Sequence, residues 1–596
     1  MRITSLVFVL LLVVSVLPAT ALSDGKRSPT VNEVLTGASA TPVKIWVYFA
    51  DHGESSAKEL DEMIAQVTLS DRARERRLMR SSGPLTDIHD LSVHASYLEA
   101  LRETGCRINH TSKYLNAASV FATPGQIRAL AAMPFVRRID RVQTARRALP
   151  HEIADADSRG RETGPSMAPA LDYGDSYQQL DLINVIPLHD ANVHGEGVLV
   201  AILDTGFNRS HEALIHLDVV AEWDFINHDS VTKNEPGDPL NQHDHGTVTL
   251  SALAGYKEGS LVGPAWAASF ALAKTERMDT EIQQEEDDYV RALEWADSLG
   301  AVIVSSSLGY YDWYTYADMD GNTAVTTVAS DIAAAKGIAV ITAAGNLGPL
   351  PWPGIIAPSD GDSVIAVGAV DPYGVIASFS SRGPTADGRI KPDVCAQGTL
   401  VRAASAYDSL SYVWSSGTSL ATPLVAGAAA QCLQMHPYWS PVTLRDSLRA
   451  HADGSGSPSP NNDYGWGIID AYQTALGGAT GMNDPSRPPA VATLYQSSPN
   501  PFVPSVSGRT AIGYVIAPPA DASSNPAGVT DLRIAIYDVS GRLVRVLFEG
   551  PRLPGAYSVD WEGLNHRGVA VSSGVYYYTL SVGSFSVSQK LVLIRR

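Results

Sequence analysis

The chain has 596 residues, room for several domains of ordinary size. Its 45% hydrophobic and 18% charged content describe a globular protein with ample core and exclude a wholly disordered one. A net charge of −19 argues against nucleic acid or an anionic membrane as partner, because both are gripped by basic side chains.

Residues 1–21 read as a signal for export: Arg2 gives the positive start, Leu6 to Leu17 is almost wholly apolar, and Ala19-Thr20-Ala21 is a small-x-small cleavage site. That run is too short for a good spanning helix, and no later segment is apolar enough, so the mature form is expected not to span a membrane. Three cysteines, Cys106, Cys395 and Cys432, are too few for a disulfide framework. Cys395 and Cys432 could pair, but free buried thiols are the favoured reading.

From Leu22 to Val142 the pattern is mixed. Lys44–Phe49, Leu115–Ala122 and Val136–Val142 read as strands. Ser55–Val67, Ala95–Thr104 and a Thr123-capped, Pro124-started segment read as helices. This is an α+β unit. Residues 143–172 carry Arg146, Arg147, Arg159, Arg161, Pro150 and Pro165 with no apolar periodicity, and are expected to be an exposed processing linker.

Residues 173–476 alternate strand and helix. The runs Gly197–Leu203, Ser269–Ala273, Ala301–Ser305, Ile338–Thr342 and Ser363–Gly368 are continuously apolar, as in a parallel sheet covered on both faces. Helices are expected over Ile282–Leu299, Thr323–Lys336 before Gly337, Thr418–Met435, and Val442–His451 after Ser440-Pro441. The class is α/β, a doubly wound, mostly parallel sheet. A linker at 477–492 is rich in Gly and Pro. Residues 493–596 hold short strands and turns, the pattern of an all-β sandwich.

Four short segments carry chemistry. Asp204-Thr205-Gly206 closes the first apolar run of the α/β region. His245-Gly246-Thr247, Ala343-Ala344-Gly345-Asn346 and Gly417-Thr418-Ser419-Leu420-Ala421-Thr422-Pro423 follow. They supply an acid, a base, an amide donor and a nucleophile, the set needed for acyl transfer through a serine ester. His243 is a rival base, and the Gly-Thr after His245 decides between them. Thr422-Pro423 is read as falling in the first turn of its helix, where proline forfeits no bond. Asp287 and Asp288 are expected on a solvated helix face.

The order Asp…His…Ser and the residues flanking each segment resemble the subtilisin-like (subtilase) serine peptidases, over roughly residues 170–475. The resemblance implies a secreted endopeptidase acting on proteins or peptides. In it His245 moves the proton, Asp204 orients His245, Ser419 attacks, and Asn346 with the Ser419 amide holds the oxyanion. Ser307-Leu308-Gly309 resembles the family's substrate-binding strand, and Ala344 and Gly345 are small enough for substrate to approach. The aromatics Tyr310, Tyr311, Trp313, Tyr314 and Tyr316 either wall apolar subsites or form a packed surface loop. The N-terminal unit resembles inhibitory propeptides, so a zymogen with its own propeptide as partner is expected. Pro499-Asn500-Pro501-Phe502, Tyr537–Arg542, Trp561-Glu562-Gly563 and Gly574–Tyr578 resemble the hook-cap-like, immunoglobulin-like sorting domains of the type nine secretion route. Secretion machinery is then a further partner, and the location is outside a bacterium or at its surface.

No cofactor is required by this chemistry. The resemblance adds a structural calcium ion, which the sequence does not locate. His211-Glu212-Ala-Leu-Ile-His216 is one residue too long for the zinc pattern. Asp318-Met-Asp320-Gly321-Asn322 lacks the full calcium-loop spacing. The alternative is a catalytically silent adhesin or scaffold on the same fold, and an esterase or ligase could use the same acyl-enzyme.

Overall fold

Val43-Lys-Ile-Trp-Val-Tyr-Phe49 is buried along almost its whole length and becomes the hub of a sheet. In the computed structural model this strand, β1, pairs antiparallel with β3 (Ala117–Ala122) and β4 (Val136–Arg141). β2 (Arg107–Ser112) extends the order to β2-β3-β1-β4. Helices α1 (Pro29–Thr36), α2 (Ala57–Ala65), α4 (Ala95–Glu103) and α5 (Pro124–Ala131) belong to the same unit. Ile45, Val47, Leu101, Val120, Ile127, Leu130 and Ile139 meet in its core. At the start of α5, Thr123 accepts from the Gln126 amide at 3.4 Å, and Gln126 accepts from the Thr123 amide at 2.7 Å. This reciprocal cap explains why the Thr-Pro signal was readable.

The structure describes residues 26–36, 41–81, 83–142, 171–278, 284–348, 350, 352, 354–453, 460–477, 492–494, 497, 502–516, 530–539, 541–552, 555–582 and 585–595. The signal at 1–21, all but the last two residues of the 143–172 linker, the 477–492 linker between its two end residues, and Pro499–Pro501 lie outside the described residues. The chain divides into two units, residues 1–67 with 86–143, and residues 68–85 with 144–596. The stretch 68–85 holds a helix, α3 (Asp71–Arg80), and groups with the second unit.

The second unit is built on seven parallel strands. They are β5 (Leu199–Asp204), β6 (Asp218–Asp224), β9 (Ser269–Lys274), β10 (Ile303–Ser306), β11 (Ala339–Ala343), β12 (Ile365–Val370) and β13 (Val394–Gln397). Their order is β13-β12-β11-β10-β5-β9-β6. Two hairpins, β7/β8 (Tyr256–Lys257, Leu261–Val262) and β14/β15 (Val401–Ala404, Tyr412–Ser415), lie outside it. Every residue of β5, β10, β11 and β12 is buried, as their continuous apolar runs require. The two edge strands escaped sequence reading for opposite reasons: β6 is polar and half exposed, and β13 is only 4 residues long.

β5 sits beside both β9 and β10, so successive strands run to either side of it. A crevice opens at such a reversal, at the carboxyl ends of the strands. Helices α6 (Asp244–Ala254), α7 (Gln284–Leu299), α8 (Val325–Ala335), α9 (Thr418–Met435), α10 (Pro441–Ala450) and α11 (Ala471–Gly477) complete this layer.

The C-terminal strands form two antiparallel sheets. One is β16 (Ala492–Leu494), β17 (Thr510–Ile516) and β20 (Gly555–Trp561). The other has the order β19 (Leu543–Arg552), β18 (Thr530–Asp538), β21 (Gly574–Val582) and β22 (Phe585–Leu593). Both sheets feed one core containing Phe502, Ile512, Ile534, Trp561, Tyr578 and Leu591. Arg595 is structural, donating to the carbonyls of Val571 and Gly563, each at 2.7 Å. Among the described residues no helix is long and apolar enough to cross a membrane.

Candidate active site

Asp204 is the last residue of the central strand and is fully buried. Its Oδ1 accepts from the Thr205 amide and from His245 Nδ1, both at 2.7 Å. Its Oδ2 accepts from Thr249 Oγ1 at 2.9 Å. Both oxygens are thus met by a neutral donor or by imidazole, without a permanent cation beside the buried carboxylate. The bond to Nδ1 puts the remaining imidazole function at Nε2. Thr249 was missed in the sequence. It stands four residues after His245 on α6, hence on the same helical face, and that spacing was the available signal.

Gly246 is what lets α6 come this close. A Cβ there would lie 2.2 Å from the Gly206 carbonyl and 3.1 Å from Asp204 Cβ. His243, the rival base, is elsewhere: its Nδ1 accepts from the Asn234 amide at 3.0 Å, and burial lowers its pKa.

Ser419 is the second residue of α9, with its Oγ donating to the Ser307 carbonyl at 3.4 Å. Ser307 Oγ returns a bond to the Ser419 carbonyl at 2.8 Å. Here the sequence reading needs correction. Pro423 lies four residues beyond Ser419, inside the helix rather than in its first turn, and has no N–H to give the Ser419 carbonyl. The forfeited helical bond is replaced by the Ser307 hydroxyl, which ties the start of α9 to the end of β10.

Asn346 follows β11 and is fixed by its oxygen. Oδ1 accepts from the Thr418 amide at 2.9 Å and from Thr418 Oγ1 at 2.8 Å. That leaves the Nδ2 end as donor. Gly417, at φ +152°, shows where it points. A Cβ built there would lie 3.3 Å from Asn346 Nδ2, 3.6 Å from Ser419 N and 3.7 Å from Ser419 Oγ. The space above Gly417 is therefore ringed by two N–H donors and a hydroxyl. The other predicted residues converge nearby: a Cβ on Gly309 or on Gly345 would meet the same Ile356 side chain, at 2.3 and 2.9 Å. Leu308 and Ala344 are buried beside these glycines, and Ala344 N bonds the Val367 carbonyl at 3.0 Å.

The aromatic loop packs on acids. Tyr310 is buried and donates to Glu276; Trp313 Nε1 and Tyr314 OH donate to Glu286 at 2.9 and 2.7 Å. Asp287 and Asp288 are fully buried, not solvated as expected. They lie in the first turns of α7, where the helix N-terminus favours negative charge. Asp288 also meets Arg291 at 3.2 Å.

The metal patterns dissolve into local bonding. His211 uses Nε2 on the Ser411 carbonyl and Nδ1 on the Ala213 amide. Asp318 and Asp320 cap their own turns. Among the described residues Asp224, Asp229 and Glu235 bring carboxylate oxygens within 4.8 Å of one another. Lys274 Nζ already sits 2.7 Å from both Asp224 and Asp238. Burial works against its charge, but the two carboxylates outweigh it and hold the pKa above the ordinary lysine value. The group does not fit a further cation. All three cysteines are buried and free, and burial pushes the Cys395 and Cys432 thiols up.

The chain is similar to known proteins. Residues 195–467 match the family model described as the subtilase family. Residues 44–157 match the peptidase S8 propeptide domain of Bacteroidota, and residues 520–584 the FlgD Ig-like domain. The chain is similar to subtilisin E of Bacillus subtilis, 29% identical over 379 residues, covering 63% of this chain and 85% of that protein. It is 32% identical to a subtilisin of Bacillus pumilus over 310 residues, 52% of this chain and all of the relative. It is 30% identical to subtilisin BL of Lederbergia lenta over 286 residues, 48% of this chain and 92% of the relative.

Proposed function

Because the chain belongs to the subtilase family and is a serine endopeptidase with a propeptide domain, we propose that Ser419, His245, Asp204 and Asn346 carry its catalysis. The observation that carries this reading is the convergence of Asn346 Nδ2, Ser419 N and Ser419 Oγ around the space above Gly417. An extended peptide lies against Ser307–Gly309 and Ala344–Gly345. Ser419 Oγ attacks the scissile carbonyl carbon while His245 Nε2 takes its proton. The carbonyl π pair moves onto oxygen, which rests between Asn346 Nδ2 and Ser419 N. Collapse breaks the C–N bond, and the imidazolium returns the proton to the leaving amine. Water then repeats the sequence on the ester, freeing the acid and Ser419. Asp204 holds the Nδ1–H throughout and stabilises the imidazolium.

The step needs no organic cofactor. The propeptide is cut from the catalytic domain within residues 143–172. Residues 1–21 send the chain out of a bacterial cell, and the C-terminal sandwich acts as its sorting domain for the type nine route.

A fluorophosphonate probe on the processed protein tests the chemistry. Label on Ser419, absent in Ser419→Ala, is expected; a folded protein that neither labels nor hydrolyses peptides would return the silent scaffold to favour. Truncation before Thr493 is expected to keep turnover in purified enzyme and to leave the protein inside its native host.

A further inference from the structure

Asp71-Arg-Ala-Arg-Glu-Arg-Arg-Leu-Met-Arg80 makes α3 a helix with an unusual buried face. Ala73, Arg76, Arg77 and Arg80 are its buried residues, at helical spacing, while Leu78 is exposed. Ser70 caps its start, accepting from the Ala73 amide at 3.2 Å. Arginines take the place an apolar stripe would hold, and such a face is stable only where acceptors meet every guanidinium.

Those acceptors lie mainly at the C-terminal ends of two helices. Arg76 donates to the carbonyls of Asp297 at 3.1 Å, Ala301 at 3.0 Å and Lys336 at 3.1 Å, and to the Asp297 carboxylate. Arg77 grips both oxygens of the same carboxylate, at 2.9 and 2.7 Å. Arg80 reaches the Trp439 carbonyl at 3.2 Å. Ser70 and Ser81 hydroxyls donate to the carbonyls of Ser298 and Ala335, at 2.6 and 2.8 Å. Asp297 and Ser298 close α7, and Ala335 and Lys336 close α8. A helix C-terminus leaves carbonyls unpaired and carries partial negative charge, so two of them beside one carboxylate form a receptor for guanidinium groups. The fit is close: a Cβ on Gly300, just past α7, would come within 2.4 Å of Arg72 Cβ.

The receptor and the candidate active site lie at opposite ends of the same strands. Ala301 and Lys336 precede β10 and β11; Ser307 and Asn346 follow them. We propose that the ends of α7 and α8 with Asp297 are a docking site for the arm Thr68–Leu85, and that this site, away from the cleft, retains the propeptide after the chain is cut. The arm is continuous at both ends with the first unit. A single cut within 143–172 therefore leaves that unit tethered to the catalytic domain until the arm lets go.

The proposal rests on the processing reading of residues 143–172, and its test does not depend on catalysis. A recognition site for an added protease is placed in that linker of full-length Ser419→Ala protein. The chain is cut, diluted, and followed by size exclusion and native mass spectrometry. The cut parent is expected to keep its N-terminal fragment. Arg76→Ala with Arg77→Ala should release it at least about 100-fold faster, since removing one side of a buried ion pair strands the other. Asp297→Asn keeps the shape and leaves the arm's arginines intact, so it serves where the double variant folds poorly; about 10-fold faster release is expected. Thermal unfolding of each uncut chain establishes that it is folded. Parent fragment lost at once on dilution, or release unchanged in folded Asp297→Asn, overturns the proposal.

Discussion

Two buried aspartates mark the two ends of the parallel sheet. Asp204, at the carboxyl end, is met by an amide, a hydroxyl and an imidazole. Asp297, at the amino end, is met by two guanidinium groups. Both carboxylates are at most 1% exposed, so burial does not distinguish them. The partners do. Asp204 meets only neutral donors and an imidazole, the setting that the proposed proton transfer by His245 uses. Two guanidinium groups pair with Asp297, which suits attachment and not proton transfer. On the proposed roles, one residue type serves chemistry at one edge and adhesion at the other.

The comparison is broken most directly at the carboxyl end. Ser419→Ala should lower kcat for peptide hydrolysis by about 10⁶-fold, the scale known for removal of a triad member from the relative subtilisin. His243→Ala, two residues from the base but bonded to the Asn234 amide, should leave kcat within a few-fold. A folded Ser419→Ala protein that kept most of its turnover would move the nucleophile elsewhere. Asn346→Leu should cost about 10²–10³-fold in kcat with KM nearly unchanged, again the scale of the corresponding subtilisin donor. A rise in KM alone would make Asn346 a binding residue.

A third prediction concerns a titratable group of the same unit that neither aspartate uses. His189 is buried, with Nε2 donating to the Pro264 carbonyl and Nδ1 accepting from Tyr173 OH, both at 2.9 Å. Burial lowers its pKa from 6.5 to about 4. Between those values the unfolded chain carries a proton that the folded chain refuses. Stability therefore falls as pH drops through this window, by about 3 kcal/mol in all. Thermal unfolding of His189→Gln should lose less stability from pH 7 to pH 4.5 than the parent. Equal losses would assign the acid sensitivity to other groups.

The carboxyl end was legible because its residues sit in contiguous strings at strand ends and helix starts: Asp-Thr-Gly, His-Gly-Thr, Gly-Thr-Ser. Each string carries its own geometric reason, such as the glycine that admits α6 beside Asp204. The amino end was not legible. The pattern sought in a helix is an apolar stripe, and α3 buries arginines at those positions. Asp287 and Asp288 were misplaced for the same reason, since charge was taken to mean solvent. Pro423 was misread because its effect depends on Ser307, more than one hundred residues away. Contacts of that range leave no mark on local periodicity.

The smallest expected effect falls on Thr249, which sharpens the comparison by testing whether a neutral donor matters to Asp204. Its hydroxyl is 2.9 Å from Oδ2 and 3.1 Å from the Gly246 carbonyl, so it has two acceptors to choose between. Thr249→Val keeps the shape and removes the donor. One oxygen of a fully buried carboxylate would then lose its partner, a change on the order of 1–3 kcal/mol. Part of that would appear as lower thermal stability, which a purely structural threonine would also show. The rest should appear as a kcat reduced by about 10-fold with KM unchanged, because a less well held Asp204 orients His245 less well. Thr249→Ser, which restores the hydroxyl, should restore kcat. If Val and Ser variants turn over alike, the Thr205 amide and His245 alone suffice to hold the carboxylate, and Thr249 is only a packing residue of α6.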